Sequence, residues 1–143
     1  MQLKLLKADW GMEYLGDQKE RLRKFAAAGY DGIECAGVQV DHTEFGDLCE
    51  ELGLVYVAMM FCDDEAAFRS QIDNIKKTRP LLINCHPGRD HFTFERGLEF
   101  FKNVMEMAGE VDCQVVYETH RTRILYAPWT TARYLEAIPE LRF

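Results

Sequence analysis

Long hydrophobic runs are missing from this sequence of 143 residues. The longest, Leu54 to Cys62, is far shorter than the roughly 20 apolar residues that a helix needs to cross a bilayer. The N-terminus also lacks the basic segment, apolar stretch and small-residue cleavage site of a secretory signal. We therefore expect no membrane partner and a cytoplasmic location.

Positive charge is scarce, because 17 Lys and Arg residues stand against 24 Asp and Glu residues, for a net charge of −7. Proteins that bind nucleic acid usually present a basic face to the phosphate backbone. The composition thus argues against a nucleic-acid partner, and a small polar substrate fits it better.

Paired cysteines are missing as well. The five cysteines are odd in number, widely spaced and mostly inside apolar runs: Cys35, Cys49, Cys62, Cys85 and Cys113. This spacing indicates neither a disulfide framework nor a thiolate zinc site. We expect buried, reduced thiols.

Phosphate-binding and nucleophile motifs are absent. The chain from Ala8 to Met12 contains no glycine-rich turn, and no Gly-Lys-Ser/Thr loop occurs elsewhere. These absences argue against a nucleotide-binding doubly wound sheet. The sequence also has no Gly-flanked serine or Ser/His/Asp set, so covalent acyl chemistry is not supported.

Five short apolar runs without strict alternation are typical of strands that are covered on both faces. These predicted strands are Leu3 to Ala8, Gly32 to Ala36, Leu54 to Phe61, Leu81 to His86 and Gln114 to Glu118. Apolar stripes at helical spacing lie between them, and Asp63 and Thr93 occupy expected N-cap positions.

Strand starts recur about every 20 to 35 residues, which is the length of a βα unit in a parallel sheet. We predict an α/β fold, a parallel (β/α) barrel of the TIM type, with about five units in a single partial domain over residues 1–143. Leu141 to Phe143 read as the start of a sixth strand, and a full barrel takes about 250 residues.

In barrel enzymes the reacting groups lie at the C-terminal ends of the strands. The fifth predicted strand ends in Glu118, and His120 has the same parity, so both side chains point to the same side. They could bind a divalent metal or share acid and base roles. The alternative is that Glu118 caps a helix or pairs with Arg121 or Arg123.

Two other strand ends carry candidates. His86 follows Asn84 at the same parity, and either contacts substrate or shapes the turn through a backbone hydrogen bond. Glu34 on the second strand could orient a substrate, although bracing a neighbouring loop is favoured. Trp10 and Phe61 could form apolar walls, but aromatic residues in such places are more often in the core.

The runs Glu118-Thr119-His120-Arg121, His86-Pro87-Gly88 and Gly32-Ile33-Glu34 resemble the xylose isomerase-like barrel superfamily of sugar phosphate isomerases and epimerases. The resemblance covers essentially the whole chain. It implies a place in carbohydrate metabolism and a sugar or sugar-phosphate substrate.

The resemblance also assigns roles. It implies that Glu118 ligates a divalent metal (Mn, Mg, Co or Zn) and moves a proton, that His86 faces the substrate as a second catalytic group, and that His120 and Arg121 contact it. The chemistry implied is a 1,2-proton transfer through an enediolate. The family's other metal ligands come from strands six to eight, beyond this sequence, so the expected site is incomplete.

Two alternatives remain. A zinc-dependent abasic-site endonuclease is disfavoured by the acidic charge and by Met59 to Cys62, where no histidine ends the third strand. The other alternative is a non-catalytic half-barrel or binding module. Open strand edges and inward apolar side chains would favour its self-association as a homo-oligomer.

Overall fold

Parallel strands and α-helices alternate along residues 3–143, the part of the chain that the computed structural model describes. The strands are β1 (Leu6–Ala8), β2 (Gly32–Cys35), β3 (Val55–Cys62), β4 (Leu82–Pro87) and β5 (Gln114–Tyr117). The helices are α1 (Gln18–Ala27), α2 (His42–Glu51), α3 (Glu65–Ile75), α4 (Phe94–Ala108) and α5 (Pro128–Ala137). Short 3-10 segments cover Glu13–Leu15 and Lys76–Thr78.

The five strands form one parallel sheet in the order β1-β2-β3-β4-β5. Each strand pairs with the next in sequence, whereas a doubly wound sheet reverses its order at a switch point. The order confirms the predicted TIM-barrel type, and the sheet is not closed. Leu141–Phe143 carry no strand, but the Tyr117 amide donates a 2.8 Å hydrogen bond to the Arg142 carbonyl beside β5.

The hydrophobic core lies between the helices and the outer face of the sheet. Alternate strand residues point outward and are buried: Ile33, Ala58, Ile83, Cys85 and Tyr117. The helices cover them with a set of buried aromatic side chains: Phe45, Phe68, Phe100 and Phe101. Because this packing uses one parity of each strand, the other parity is left for the inner face of the sheet.

Helix starts follow the expected capping chemistry. The Thr93 side chain accepts a hydrogen bond from the Arg96 amide at the start of α4, as predicted. The predicted cap at Asp63 is wrong by one residue, since Asp64 accepts the 2.8 Å bond from the Ala67 amide. The Asp63 carboxylate is therefore free to make other contacts.

The thiols match the sequence prediction. All five cysteines are unpaired, four of them are buried, and burial raises the pKa of the Cys35 thiol to about 11. Among residues 3–143, no helix combines the length and the apolar character that a membrane crossing requires.

Candidate functional site

The inner face of the sheet holds a cavity of about 520 Å³. Its polar lining includes Glu34, Asn84 and Glu118, which come from β2, β4 and the end of β5. Apolar side chains such as Val57 and Val116 line the rest. The cavity therefore brings together polar residues of three strands that are far apart in sequence.

Glu118 follows β5 directly, and its amide donates a 2.8 Å hydrogen bond to the Cys85 carbonyl, which continues the pairing with β4. Its side chain is 35% exposed, and Oε2 accepts a 2.6 Å hydrogen bond from Asn84 Nδ2. Within residues 3–143, neither Arg121 nor Arg123 pairs with it. The alternative of an arginine partner for Glu118 is thus wrong.

His86 is 3% exposed, and its Nε2 atom lies 3.1 Å from Glu118 Oε2. Neither ring nitrogen makes a hydrogen bond of normal geometry within the described residues. The alternative in which His86 shapes its turn through a backbone hydrogen bond is therefore wrong. A buried imidazole without a hydrogen bond of normal geometry is costly, and such groups often mark a functional site.

Burial holds the pKa of His86 below its ordinary value of 6.5. Glu118 acts in the opposite direction, whereas His120 and Arg123 lower the pKa further. The side chain is therefore a neutral imidazole at pH 7, with one nitrogen able to donate a hydrogen bond and the other able to accept one.

Aromatic rings surround His86. Its ring centroid lies 4.4 Å from that of Phe61 and 4.9 Å from that of His120. His120 thus contacts the His86 ring edge-on, and the expectation that His120 and Glu118 act on one pocket stays a prediction. Phe61 is 41% exposed and Trp10 is 90% exposed, so the expectation that they lie in the core is wrong.

Two predicted residues have other surroundings. Glu34 lines the cavity, and its side chain forms no hydrogen bond within residues 3–143, so the favoured bracing role finds no support. Arg121 is exposed and lines a separate groove of about 410 Å³ with Tyr126 and Leu135. His120 borders the same groove. Roles for Glu34 and Arg121 in substrate contact remain predictions.

Sequence reasoning missed two features. Asn84 was recognisable only by its shared parity with His86, and its contact with Glu118 spans 34 residues. A cluster of Asp63, Arg89 and Arg123 carries no sequence signal, because Asp63 and Arg123 are 60 residues apart. The cluster lies where the loops after β3, β4 and β5 meet.

The described residues do not make a complete metal site. No group of three His, Cys, Asp or Glu side chains within residues 3–143 is arranged to hold an ion. Glu118 and His86 offer one oxygen and one nitrogen ligand, and a stable divalent site needs more than these. Glu118 as a metal ligand therefore remains a prediction.

No family model matches the sequence, and no curated protein matches it in sequence. Solved structures match its fold. One is titled L-ribulose 3-epimerase, with 14% identity and a TM-score of 0.69 over 94% of this chain and 57% of that one. Another is a sugar phosphate isomerase/epimerase from Parabacteroides distasonis, with 14% identity and a TM-score of 0.62 over 80% of this chain and 50% of that one.

A third structure is titled AP endonuclease, family 2, from Brucella melitensis. It has 15% identity and a TM-score of 0.66 over 92% of this chain and 64% of that one. All three are xylose isomerase-like TIM barrels. This chain has the xylose isomerase-like fold.

The shared fold accounts for the sequential strand order. At 14% to 15% identity the likeness concerns the fold alone. The chain spans 50% to 64% of the length of the three structures.

Proposed function

We propose that this chain carries part of the active site of a metal-dependent sugar isomerase or epimerase. The observation that supports this most directly is the Glu118 carboxylate, which lines the inner-face cavity, is oriented by Asn84 and lies 3.1 Å from the buried His86 ring. Two of the three structures above have isomerase or epimerase titles. The proposed substrate is a keto-sugar or a related sugar phosphate.

In the proposed reaction, the Glu118 carboxylate removes the proton from the carbon next to the substrate carbonyl. The C–H electron pair becomes the new carbon–carbon double bond, and the carbonyl electrons move to oxygen, which gives an enediolate. Return of the proton to the former carbonyl carbon, together with transfer of the hydroxyl proton from the first oxygen to the second, completes isomerisation. Epimerisation is completed instead when a second acid, on the opposite face of the substrate, protonates the carbon from which the proton was removed.

His86 is proposed to donate a hydrogen bond to the oxygen that becomes negative. Its lowered pKa keeps it a neutral imidazole at pH 7, so it is a donor without a full charge. His120 packs against the same ring and could contact a substrate hydroxyl, as could Arg121 and Glu34. Asn84 holds the carboxylate of Glu118 in place.

Metal binding is part of the proposal. Glu118 would supply one ligand to Mn²⁺, Mg²⁺, Co²⁺ or Zn²⁺. Because residues 3–143 offer too few ligands, the remaining ligands would come from outside this set. The reduced, buried thiols suit a reducing compartment, which supports the cytoplasm as the site of action.

Proton exchange with solvent tests the proposal. The purified chain is incubated in D₂O with Mn²⁺ and a panel of keto-sugars and sugar phosphates, and deuterium incorporation is followed by NMR. Exchange that is lost in Glu118→Gln but retained in Glu51→Gln would support the assignment, since Glu51 is an exposed glutamate of α2. Equal exchange in both variants would contradict it.

Calorimetric titration with Mn²⁺ tests the metal separately. Saturable binding that disappears in Glu118→Gln supports Glu118 as a ligand. Binding that survives the substitution would assign the ion to other residues.

The abasic-site endonuclease has only the fold match to the Brucella structure in its favour, and the net charge of −7 opposes it. A gel shift with a labelled abasic duplex at low salt distinguishes the two enzyme classes. Light scattering tests the alternative of a non-catalytic, self-associating half-barrel. A strictly monomeric species would contradict this alternative.

A further inference from the structure

We propose that Arg123 is a positioning residue for the candidate site. Its guanidinium joins the loops after β3, β4 and β5, and this junction keeps the rings of Phe61, His86 and His120 packed beside Glu118. The inference rests on the proposed function, because it concerns the same site. Its test does not depend on turnover.

The contacts of Arg123 reach three loops. Arg123 lies in the loop after β5, and its side chain is only 9% exposed. Nη1 donates a 2.7 Å hydrogen bond to Asp63 Oδ1 in the loop after β3. The same nitrogen donates a 3.2 Å hydrogen bond to the Gly88 carbonyl in the loop after β4. One side chain therefore connects the three strand ends that frame the site.

The guanidinium also begins a row of stacked groups. Its central carbon lies 5.5 Å from the centroid of the Phe61 ring, a cation–π distance. Phe61 contacts His86 with centroids 4.4 Å apart, and His86 contacts His120 at 4.9 Å. His86 has no hydrogen bond of normal geometry within residues 3–143, so the orientation of its ring depends on these packing contacts together with the 3.1 Å approach of its Nε2 atom to Glu118 Oε2.

The backbone of the same loop is held in an uncommon conformation. Thr122 has a φ of 65°, in the left-handed region, which a β-branched residue rarely adopts. The Arg123 amide donates to the His120 carbonyl at 3.2 Å, and the Ile124 amide donates to the Pro87 carbonyl at 3.2 Å. Such strain persists where surrounding contacts fix the backbone, and Arg123 provides several of them.

Arg89 offers a matched comparison. It also donates to the Asp63 carboxylate, but its side chain is 39% exposed, and it makes no ring contact with Phe61. If Asp63 simply needs a positive partner, the two arginines are equivalent. If Arg123 positions the rings, only its replacement disturbs them. Lysine at 123 keeps the charge but cannot bond to two acceptors and lie flat on a ring at the same time.

The experiment uses NMR of the full chain with labelled histidine and phenylalanine. We expect the nuclear Overhauser cross-peaks between Phe61 and His86, and between His86 and His120, to be lost in Arg123→Met and weakened in Arg123→Lys. They should be retained in Arg89→Met. Asp63→Asn weakens the bond from Arg123 to residue 63 without creating a void, so it should weaken the same cross-peaks. This variant takes the place of Arg123→Met if Arg123→Met does not fold.

Retention of both cross-peaks in Arg123→Met, or in Asp63→Asn if it is the folded variant, would overturn the positioning role. Equal loss in Arg89→Met would also overturn it, since any partner of Asp63 would then suffice. The solvent-exchange assay with Glu118→Gln is a separate readout. If the wild-type chain shows no sugar turnover but Arg123→Met still loses the ring cross-peaks, the proposed function is wrong and the positioning role of Arg123 stands.

Discussion

Asn84 Nδ2 donates a 2.6 Å hydrogen bond to Glu118 Oε2 and so links the inner faces of β4 and β5. The same carboxylate oxygen lies 3.1 Å from His86 Nε2. One oxygen atom therefore lies between an amide donor and a buried imidazole, and the second carboxylate oxygen makes no hydrogen bond within residues 3–143.

Asn84→Ala tests this relationship. We expect the unfolding free energy to fall by only about 1 kcal/mol, because Glu118 is partly exposed and water can replace the amide. Sugar turnover should fall by roughly 10- to 100-fold, since a misplaced reacting group is costly. Urea unfolding and the solvent-exchange assay measure the two effects. Asn74→Ala, which removes an exposed 3.4 Å bond to the Ser70 carbonyl, is the control and should change neither.

His86→Leu separates stability from function. Both ring nitrogens are buried without a hydrogen bond of normal geometry in the described part of the chain, so an apolar side chain of similar size removes a desolvation penalty. We expect the unfolding free energy to stay level or rise by about 1 kcal/mol while turnover is lost. Ile83→Ala, at an outward-facing and fully buried position of β4, should instead cost about 2 to 4 kcal/mol. A comparable loss in His86→Leu would show that the histidine stabilises the fold.

Gly97 in α4 allows no side chain. A Cβ atom there would lie 1.9 Å from the Tyr134 hydroxyl oxygen and 2.5 Å from Ile124 Cδ1. We expect Gly97→Ala to lower the unfolding free energy by about 1 to 3 kcal/mol through overpacking. In the double variant Gly97→Ala/Tyr134→Leu, the loss of unfolding free energy should be smaller than the sum of the two single losses, because Tyr134→Leu removes the hydroxyl that clashes with the new Cβ atom. Simple additivity in urea unfolding would contradict this packing.

Glu65 gives the chain a pH-dependent link between helices. The pKa of Glu65 is lowered from 4.5 to about 2, chiefly by two hydrogen bonds from Arg96. A hydrogen bond from Asn103 lowers the pKa further, whereas burial raises it. A lowered carboxyl pKa adds stability above pH 4.5 that is lost as pH falls towards 2.

We expect Glu65→Gln to lose about 2 kcal/mol at pH 7, a value reduced because Arg96 is about one-third exposed. The difference from the wild type should shrink as the pH falls from 4.5 towards 2. Urea titrations across this range measure it. Glu51→Gln is the control, since Glu51 is exposed and in none of the ion pairs of residues 3–143. A difference that stays constant with pH would rule out the ion pair as its source.

The sequence predicted the fold well because its signals are local. Apolar runs and helical stripes located all five strands and four of the helices, and the absence of phosphate-binding glycines favoured the barrel type over a doubly wound sheet. Element ends were less certain. β1 begins at Leu6 instead of Leu3, and the cap is Asp64 instead of Asp63, because adjacent acids are equally able to cap a helix.

The candidate site was predictable only in part. Glu118, His86 and His120 stood out as polar residues at the ends of apolar strands, and the fold brings all three together. The exposure of Trp10 was not predictable, since sequence does not show whether a neighbouring loop covers an aromatic ring. Arg121 and Arg123 look equivalent in sequence. Arg121 is exposed, however, whereas the Arg123 side chain is only 9% exposed and is held by its ion pair with Asp63.

The sequence by itself determined the five strands, four of the five helices and the parallel βα repeat, because periodicity and capping act over a few residues. Only the tertiary structure decided which of these residues meet. The bond from Asn84 to Glu118 and the junction of Arg123 with Asp63 depend on strand register and loop paths across 34 and 60 residues. Such contacts are selected by the packing of the whole sheet, so no local pattern in the sequence encodes them.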